Sequence, residues 1–243
     1  MKDKIIKFVI TVTIMVIFLA VIVIRAIQVT SLTPEKVFEK SVQSIVELKA
    51  VSEDVGESYG TAVCINSDGY LVTNAHVVTY KQMGESIGFD EYFIRLANED
   101  DYHAVELVKY DLETDIAVLK SGTSVDLKPI KIGNSDKLSF GDNVYAIGNG
   151  SNYGLALTHG IISIPKINVE YENITREVIQ SDITISAGNS GGALLDDKGE
   201  FIGMTSFRTK DNQGNVVYGL VYSIPVNIIV DYINVNNGKL IEI

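Results

Sequence analysis

The sequence predicts an all-β globular part, built as antiparallel barrels or a sandwich, behind one apolar N-terminal segment. Many short runs of β-forming residues follow one another from residue 44 onward, and glycine-bearing turns separate many of them. Strands do not alternate with long helical stretches, as they would in a βαβ fold. With 243 residues, of which 46% are apolar, the chain can bury a sizeable core in one large domain or two small ones.

The strand-like runs form two sets with a junction near residues 121–135. The expected units are a first β unit over 44–130 and a second over 131–243, after a membrane segment over 1–30 and a linker over 31–43. Thr33 can cap a short helix over 33–43, and a second helix is expected over 226–233. Hairpin turns are expected at 66–69 and 196–199. The predicted strands are 44–48, 61–65, 70–73, 93–96, 104–109, 116–119, 143–147, 156–164, 177–180, 193–195, 201–207 and 216–223.

The N-terminal segment is long and apolar enough to cross a membrane. Residues 8–24 carry no charge, and the 20 residues from 5 to 24 include a single charged residue, Lys7. A helix of that length spans roughly 26–30 Å, close to the hydrocarbon thickness of a bilayer. A cleaved signal peptide usually has a shorter apolar run that ends at a small-x-small site, whereas this run ends at Arg25. We expect an uncleaved single-pass anchor in the cell membrane, with the globular part outside the cytoplasm as a hypothesis.

Charge and composition argue against several functions. The chain has a net charge of −11, and residues 31–243 alone carry 16 basic and 30 acidic groups, a net of −14. Such a surface repels nucleic acid and anionic lipid head groups. The single cysteine, Cys64, allows no intrachain disulfide and is expected to be a small buried apolar residue. The three histidines lie far apart without the spacing of a zinc site, and the sequence indicates no metal and no cofactor.

A serine surrounded by glycines is the first candidate for chemistry. Ser190 lies in the stretch Gly-Asn-Ser-Gly-Gly at 188–192. One alternative is a simple glycine-rich turn; a phosphate-binding loop is weaker, because the lysine of that motif is missing. Glycines permit the backbone angles that aim several N–H groups at one point. The N–H groups of Gly188 and Ser190 could therefore form an oxyanion hole beside a nucleophilic hydroxyl.

A serine nucleophile needs a base, and the base needs an acid. His76 follows a predicted strand, where a side chain can reach a cleft. His103 has the surroundings of a surface residue, and His159 lies inside a strand, where a structural role is the default. Asp115 directly precedes the apolar strand 116–119, so its carboxylate could be partly buried; the alternative is an acidic turn residue.

Taken together, these stretches resemble the trypsin-like serine proteases, most closely the HtrA (Do-like) branch. The resemblance covers about residues 33–235 and keeps the family's order of His, Asp and Ser. It implies two six-stranded antiparallel barrels with the site between them. The matching stretches are Gly-Thr-Ala-Val at 60–63, Asp-Gly-Tyr-Leu-Val-Thr-Asn-Ala-His-Val-Val at 68–78, Thr-Asp-Ile-Ala-Val-Leu-Lys at 114–120, Gly-Asn-Ser-Asp-Lys-Leu at 133–138 with Gly-Asp at 141–142, Gln-Ser-Asp at 180–182, Gly-Asn-Ser-Gly-Gly-Ala-Leu at 188–194 and Tyr-Ser-Ile-Pro at 222–225.

The resemblance implies roles for individual residues. His76 would act as general base and then general acid, Asp115 would orient it, and Ser190 would be the nucleophile. The N–H groups of Gly188 and Ser190 would form the oxyanion hole. The implied function is a membrane-anchored serine endopeptidase acting on polypeptides, misfolded or unfolded proteins among them, in protein quality control. An oligomer is possible.

The resemblance also implies how substrate would bind. A polypeptide would add as a strand along 205–208 through main-chain hydrogen bonds. Thr184 and Ile185 fall where the family lines its primary pocket, and Thr205 lies nearby. Such a wall favours a small or medium apolar side chain before the cleaved bond, and Thr184 stands where trypsin has an Asp, which argues against an Arg or Lys preference.

Three departures from the family pattern matter. Ser186 and Ala187 stand where the family often has Asn-Pro, so the loop before Ser190 is less stiff. Asn189 replaces the Asp that pairs with a new N-terminus in digestive enzymes, so activation by N-terminal cleavage is not expected. The sequence ends at Ile243 without a stretch for the PDZ domain common in HtrA proteins. The alternative function is a catalytically silent peptide-binding or chaperone-like module.

Overall fold

The computed structural model describes residues 2–28, 31–122, 125–171, 173–210, 213 and 216–235. Within them the helices are α1 (Lys2–Gln28), α2 (Pro34–Ser41), α3 (Ala75–Val78) and α4 (Val226–Val235). The strands are β1 (Ile45–Ser52), β2 (Gly56–Cys64), β3 (Tyr70–Thr73), β4 (Thr79–Gln82), β5 (Glu85–Gly88), β6 (Glu91–Arg95), β7 (His103–Asp111), β8 (Ile116–Ser121), β9 (Asn143–Gly148), β10 (Ala156–Tyr171), β11 (Ile174–Ser181), β12 (Ala193–Leu195), β13 (Phe201–Lys210) and β14 (Val216–Pro225).

Twelve of these strands close into two barrels. The first has the order β1-β2-β3-β8-β7-β6, and the second has the order β10-β11-β14-β13-β12-β9. Neighbouring strands pair antiparallel throughout both rings. The expected fold of two six-stranded antiparallel barrels is confirmed. The domain boundary expected at 130 falls in the segment between β8 and β9 and stays a prediction.

Local sequence explains the turns and the short helix. Gly69 and Gly199 adopt φ values of 81° and 70°, which glycine adopts without strain. The side-chain oxygens of Asn66 and Asp196 accept backbone N–H groups within the same turns. The two expected hairpin turns are confirmed. Thr33 caps α2, which ends at Ser41 rather than at residue 43.

Two features of the strands differ from the sequence-based prediction. β4 and β5 form a separate hairpin that was not expected, with Met83 and Gly84 at its tip in the left-handed region. β10 continues to Tyr171 instead of ending near 164, because it pairs with β11 as far as Ile174. In the β10–β11 hairpin, Ile167 and Val169 alternate with polar residues and pack against Val178, Phe207 and Tyr222.

One buried cluster joins the two barrels. Val72 and Ile116 from the first barrel pack in it with Ile147, Phe201 and Met204 from the second, and all five are at most 1% exposed. Burial of large apolar side chains contributes roughly 1.5–3 kcal/mol each. This interface therefore fixes the positions of the strand ends and loops that meet between the barrels.

Helix α1 is the exception to this packing. Every residue of the stretch Lys2–Val23 is exposed, and its most apolar window of 18 residues has a mean hydropathy of 2.9. It is long and apolar enough to cross a membrane, as the sequence predicted, and a signal sequence has the same properties.

Candidate active site

His76 and Asp115 meet at the edge of the first barrel. His76 lies in α3, the single turn that follows β3, and Asp115 directly precedes β8. The imidazole Nδ1 lies 3.0 Å from both carboxylate oxygens of Asp115. The backbone N–H of His76 also donates to Oδ1 of Asp115, over 3.0 Å. These contacts fix the ring, and its Nε2 side is directed away from the carboxylate.

The backbone of Asp115 has an unusual conformation but is held in place by hydrogen bonds. It adopts a φ of 57°, a left-handed conformation that Asp tolerates better than most residues. Its carbonyl oxygen accepts hydrogen bonds from the Ala75 N–H (3.2 Å) and the Asn74 side-chain amide (3.1 Å). Because these bonds secure the carbonyl, the carboxylate is presented to His76 in one orientation.

The carboxylate of Asp115 stays ionised despite being only 6% exposed. Burial acts to raise its pKa, but the charge and hydrogen bonds of His76 and the hydroxyl of Ser206 outweigh burial and hold the pKa below its usual range. The Ser206 hydroxyl donates to Oδ2 over 2.7 Å. An ionised acceptor at Nδ1 favours the imidazole tautomer that carries its proton there and leaves a lone pair on Nε2.

Ser190 lies in a tight turn of the second barrel that depends on glycine. Gly188 and Gly191 have φ values of 96° and 83°. A side chain at Gly188 would collide with the carbonyl oxygen of Asn149, and one at Gly191 with the carbonyl oxygen of Thr61. The backbone can therefore make this turn only with glycine at these two positions.

The carbonyl groups of this turn point into the protein. Ala187 O accepts the Ser151 N–H (2.7 Å), and Asn189 O accepts the Thr205 hydroxyl (2.6 Å). In a trans peptide the C=O and the following N–H point in opposite directions. The N–H groups of Gly188 and Ser190 are thus directed away from those anchors, and within the described residues neither has a hydrogen-bond acceptor.

Thr61 of the first barrel clamps the same turn. Its backbone N–H donates to Ser190 O (2.9 Å), and its hydroxyl donates to Gly188 O (2.8 Å). The hydroxyl oxygen in turn accepts the Asn149 N–H (2.9 Å). Since Thr61 is fully buried, the turn that bears Ser190 is set by strand β2 of the opposite barrel.

The structure brings His76, Asp115 and Ser190 to one cavity of about 290 Å³, which Ser206 also lines. The hydroxyl of Ser190 donates to the carbonyl oxygen of Ser206 over 3.0 Å. Ser206 thus contacts both Ser190 and Asp115. Ser206 belongs to the stretch 205–208 that was expected to bind substrate, but its contact with Asp115 was not predicted, because the packing of one barrel on the other brings it there.

The residues expected at the primary pocket also gather in one place. Thr184, Ile185 and Thr205 line a cavity of about 160 Å³ beside the Ser190 turn. Ile185 and Thr205 are buried, whereas Thr184 is exposed. Thr205 has an additional role, because its hydroxyl holds the carbonyl oxygens of Asn189 and Gly192.

The other two histidines lie apart from this cavity. His103 contacts Glu99 at 2.6 Å, and His159 contacts Asn143 at 3.1 Å and stacks on Tyr145. In the described part of the chain, His, Cys, Asp and Glu side chains form no group of three that could hold a metal ion.

Two six-stranded barrels that bring a His–Asp pair and a serine in a glycine turn into one cleft are typical of the trypsin-like serine peptidases. The trypsin-like peptidase domain family matches residues 60–204. A serine protease Do-like HtrA from Lactobacillus helveticus is 34% identical over 200 residues, covering 80% of this chain and 46% of that protein. A probable periplasmic serine endoprotease DegP-like from Buchnera aphidicola subsp. Baizongia pistaciae is 39% identical over 175 residues, covering 70% and 34%.

Solved structures agree with the sequence comparisons. The HtrA-type protease AlgW with a tripeptide superimposes with a TM-score of 0.72 at 30% identity, covering 84% of this chain and 63% of that one. The chain therefore belongs to the trypsin-like peptidase family, as an HtrA-type member. It spans between a third and a half of the length of the curated relatives described above.

Proposed function

We propose that the chain is a membrane-anchored serine endopeptidase in which Ser190 attacks the scissile carbonyl of a polypeptide. The observation that carries this proposal is the Asp115–His76 pair, with Nδ1 3.0 Å from the carboxylate, in the same cavity as Ser190. The relatives are named serine proteases, and AlgW was solved with a peptide.

The reaction follows from the roles of the three side chains. The Ser190 hydroxyl turns from Ser206 O toward His76 Nε2, which takes the proton as Oγ bonds to the substrate carbonyl carbon. Asp115 stabilises the imidazolium. The imidazolium then gives its proton to the leaving amine, and an acyl-enzyme remains. Water, deprotonated by the same imidazole, attacks the ester carbon and releases Ser190 with its proton restored.

The oxyanion of each tetrahedral intermediate would be bound by the N–H groups of Gly188 and Ser190. Their direction away from the anchored carbonyls supports this role. One such donor typically contributes about 3 kcal/mol to the transition state. The hydrogen bond from Ser151 N–H to Ala187 O stabilises the turn in place of the proline that the family often has at position 187.

Substrate specificity is part of the same proposal. A polypeptide adds along residues 205–208 of β13 and places a small or medium apolar side chain beside Thr184, Ile185 and Thr205. The modest volume of that cavity, about 160 Å³, supports this size class. We propose unfolded polypeptides as the substrates, because a cleft that binds an extended main chain requires an unstructured segment.

The catalytic proposal is tested on the full chain in detergent micelles. A biotinylated peptidyl phosphonate should label the wild-type chain, and intact mass should report one adduct. Ser190→Ala should lose labelling and lower peptide turnover by about 10⁴-fold or more, whereas Ser139→Ala, on the exposed surface, should keep both. Peptide binding without labelling or cleavage would support the silent binding module instead.

The membrane proposal rests on the uncovered apolar face of α1. An exposed helix that contains an 18-residue window with a mean hydropathy of 2.9 is stable only when lipid covers it. The anchored chain should resist extraction by alkaline carbonate and keep Met1 or Lys2 at its N-terminus. A mature protein that starts after α1 would identify a signal peptide. Cleavage of the domain by external protease in intact cells would place it outside the cytoplasm.

A further inference from the structure

The cleft carries the opposite charge to the domain around it. The cavity at Ser190 adjoins a second cavity of about 690 Å³, and both are lined by His76, Asp115 and Arg176. Arg208 lines the first and Lys81 the second. Among the described residues that line the two cavities, Asp115 is the one with a carboxylate, and it is buried against His76 and Ser206. Residues 31–243 as a whole have a net charge of −14.

Arg208 is positioned to meet a bound polypeptide. It follows Ser206 by two residues on β13 and so belongs to the stretch along which substrate would add. Its Nη1 donates to the carbonyl oxygen of Ile185 over 3.0 Å, which holds the guanidinium beside the loop that leads to Ser190. A neutral carbonyl does not cancel its charge, and no described carboxylate forms an ion pair with it.

Arg176 presents a second positive charge between the two cavities. Its Nε and Nη2 donate to the carbonyl oxygens of Glu113 (2.8 Å) and Leu112 (2.6 Å). These bonds tie β11 to the loop that leads to Asp115. The carboxylate that interacts electrostatically with it is Asp111, which is hydrogen-bonded to Thr114 over 2.6 Å. Arg176 is therefore fixed by carbonyl groups and faces the cleft with much of its charge available.

We propose that the cleft selects polypeptides with an Asp or Glu three residues before the cleaved bond, and that Arg208 is the main contact for that carboxylate. The inference rests on the proposed peptidase function and extends it to a substrate class. A fixed guanidinium favours carboxylate partners because its donors match the two oxygens. The surrounding negative surface repels acidic segments elsewhere, so this local site gives such segments one favourable place to bind.

Two matched peptides test the proposal. They are quenched-fluorescent and identical except for Glu or Gln three residues before the cleaved bond. With the full chain in neutral detergent micelles, kcat/KM should be about fivefold higher for the Glu peptide at about 50 mM salt, which is the size expected of a partly exposed ion pair. The ratio should approach one at about 500 mM salt. Arg208→Gln should abolish the preference, and Arg208→Lys should retain part of it.

Controls separate the outcomes. Lys131→Gln removes one positive charge from the segment between β8 and β9, at its ion pair with Glu200 and away from the cleft, and should leave the ratio unchanged. Equal rates for the two peptides in the wild type, or an unchanged ratio in Arg208→Gln, would overturn the acidic preference while leaving the peptidase intact. If neither peptide is cleaved, fluorescence anisotropy still compares the binding of the two peptides to the Ser190→Ala variant. Equal affinities for the two peptides would also overturn the acidic preference.

Discussion

The side-chain amide of Asn149 donates to the carboxylate of Glu47 over 2.8 Å and joins the end of strand β9 to strand β1 of the other barrel. Both residues are nearly inaccessible, at 1% and 4% exposure. The same carboxylate oxygen accepts a hydrogen bond from Arg95, also at 2.8 Å. Because the backbone N–H of Asn149 bonds to Thr61, which holds Gly188 O, a charge buried in strand β1 supports the turn that carries Ser190.

Replacing Glu47 should weaken both stability and turnover. Glu47→Ala leaves the Asn149 amide and Arg95 without their acceptor, and we expect a loss of about 2 kcal/mol in the free energy of unfolding. Turnover should fall with little change in KM, because the defect reaches the oxyanion turn and not the substrate strand. Urea unfolding and steady-state kinetics measure the two effects. Glu47→Gln keeps an oxygen acceptor and should lose less stability and less turnover than Glu47→Ala. Equal losses in the two variants would contradict a positioning role.

Asp115→Asn should cost about 10⁴-fold in kcat, since an amide no longer fixes the tautomer that leaves Nε2 free to accept a proton. The fold should persist, because the amide oxygen can still accept the His76 N–H. Peptide hydrolysis at neutral pH measures the loss. Asp68→Asn, a matched change in an exposed turn, should keep wild-type kcat. A residual activity of one half in Asp115→Asn would refute the assignment of Asp115.

Ser206→Ala should make the chain more sensitive to acid. The pKa of Asp115 lies below its usual range in the folded chain, so its contribution to stability is present above the ordinary Asp pKa of about 3.9 and is lost as the pH falls through the folded pKa. Losing the Ser206 hydroxyl removes one of the contacts that lower this pKa, so the loss of stability should begin at a higher pH. Thermal unfolding between about pH 3 and pH 7 measures it, and Ser206→Thr, which retains a hydroxyl, is the control.

Cys64 should be unreactive in the folded chain. It is fully buried in the first barrel, and burial raises the pKa of its thiol to about 11. About one thiol in a thousand is ionised at pH 8 with such a pKa. An aromatic disulfide reagent should therefore report no thiol at pH 8 until denaturant is added, and one thiol thereafter. Rapid labelling without denaturant would show that the first barrel opens around β2.

The sequence predicted the parts of the fold and site that depend on neighbouring residues. The turn at Gly69, the cap at Thr33 and the glycines around Ser190 are local signals, and each is confirmed by the backbone angles or contacts in the structure. The candidate residues His76 and Asp115 were also predicted, because each lies next to an apolar strand. The catalytic roles of the three side chains remain a proposal.

What the sequence could not predict depends on register between distant strands. Ser206 reaches Asp115 only through the pairing of β13 within its barrel and the packing of one barrel on the other. Glu47 precedes Leu48 in an ordinary apolar strand, where a charged residue suggests a solvent-facing position; instead its carboxylate is buried by Asn149, 102 residues later. The hairpin β4–β5 lies outside both rings, so no apolar alternation marks it.

The hydrogen bond from the Ser190 hydroxyl to Ser206 O holds this serine in an unreactive orientation. While the hydroxyl donates its proton to that carbonyl, the imidazole of His76 does not accept it, and the serine oxygen is not activated. In the proposed binding mode, an extended peptide would place its own amide beside Ser206, compete for the same acceptor and free the hydroxyl to turn to the imidazole. Small acylating reagents bring no such amide, so they should inactivate the chain far more slowly than peptidyl inhibitors bearing the same warhead. If so, the main-chain conformation of a ligand would control the reactivity of Ser190 independently of its side chains.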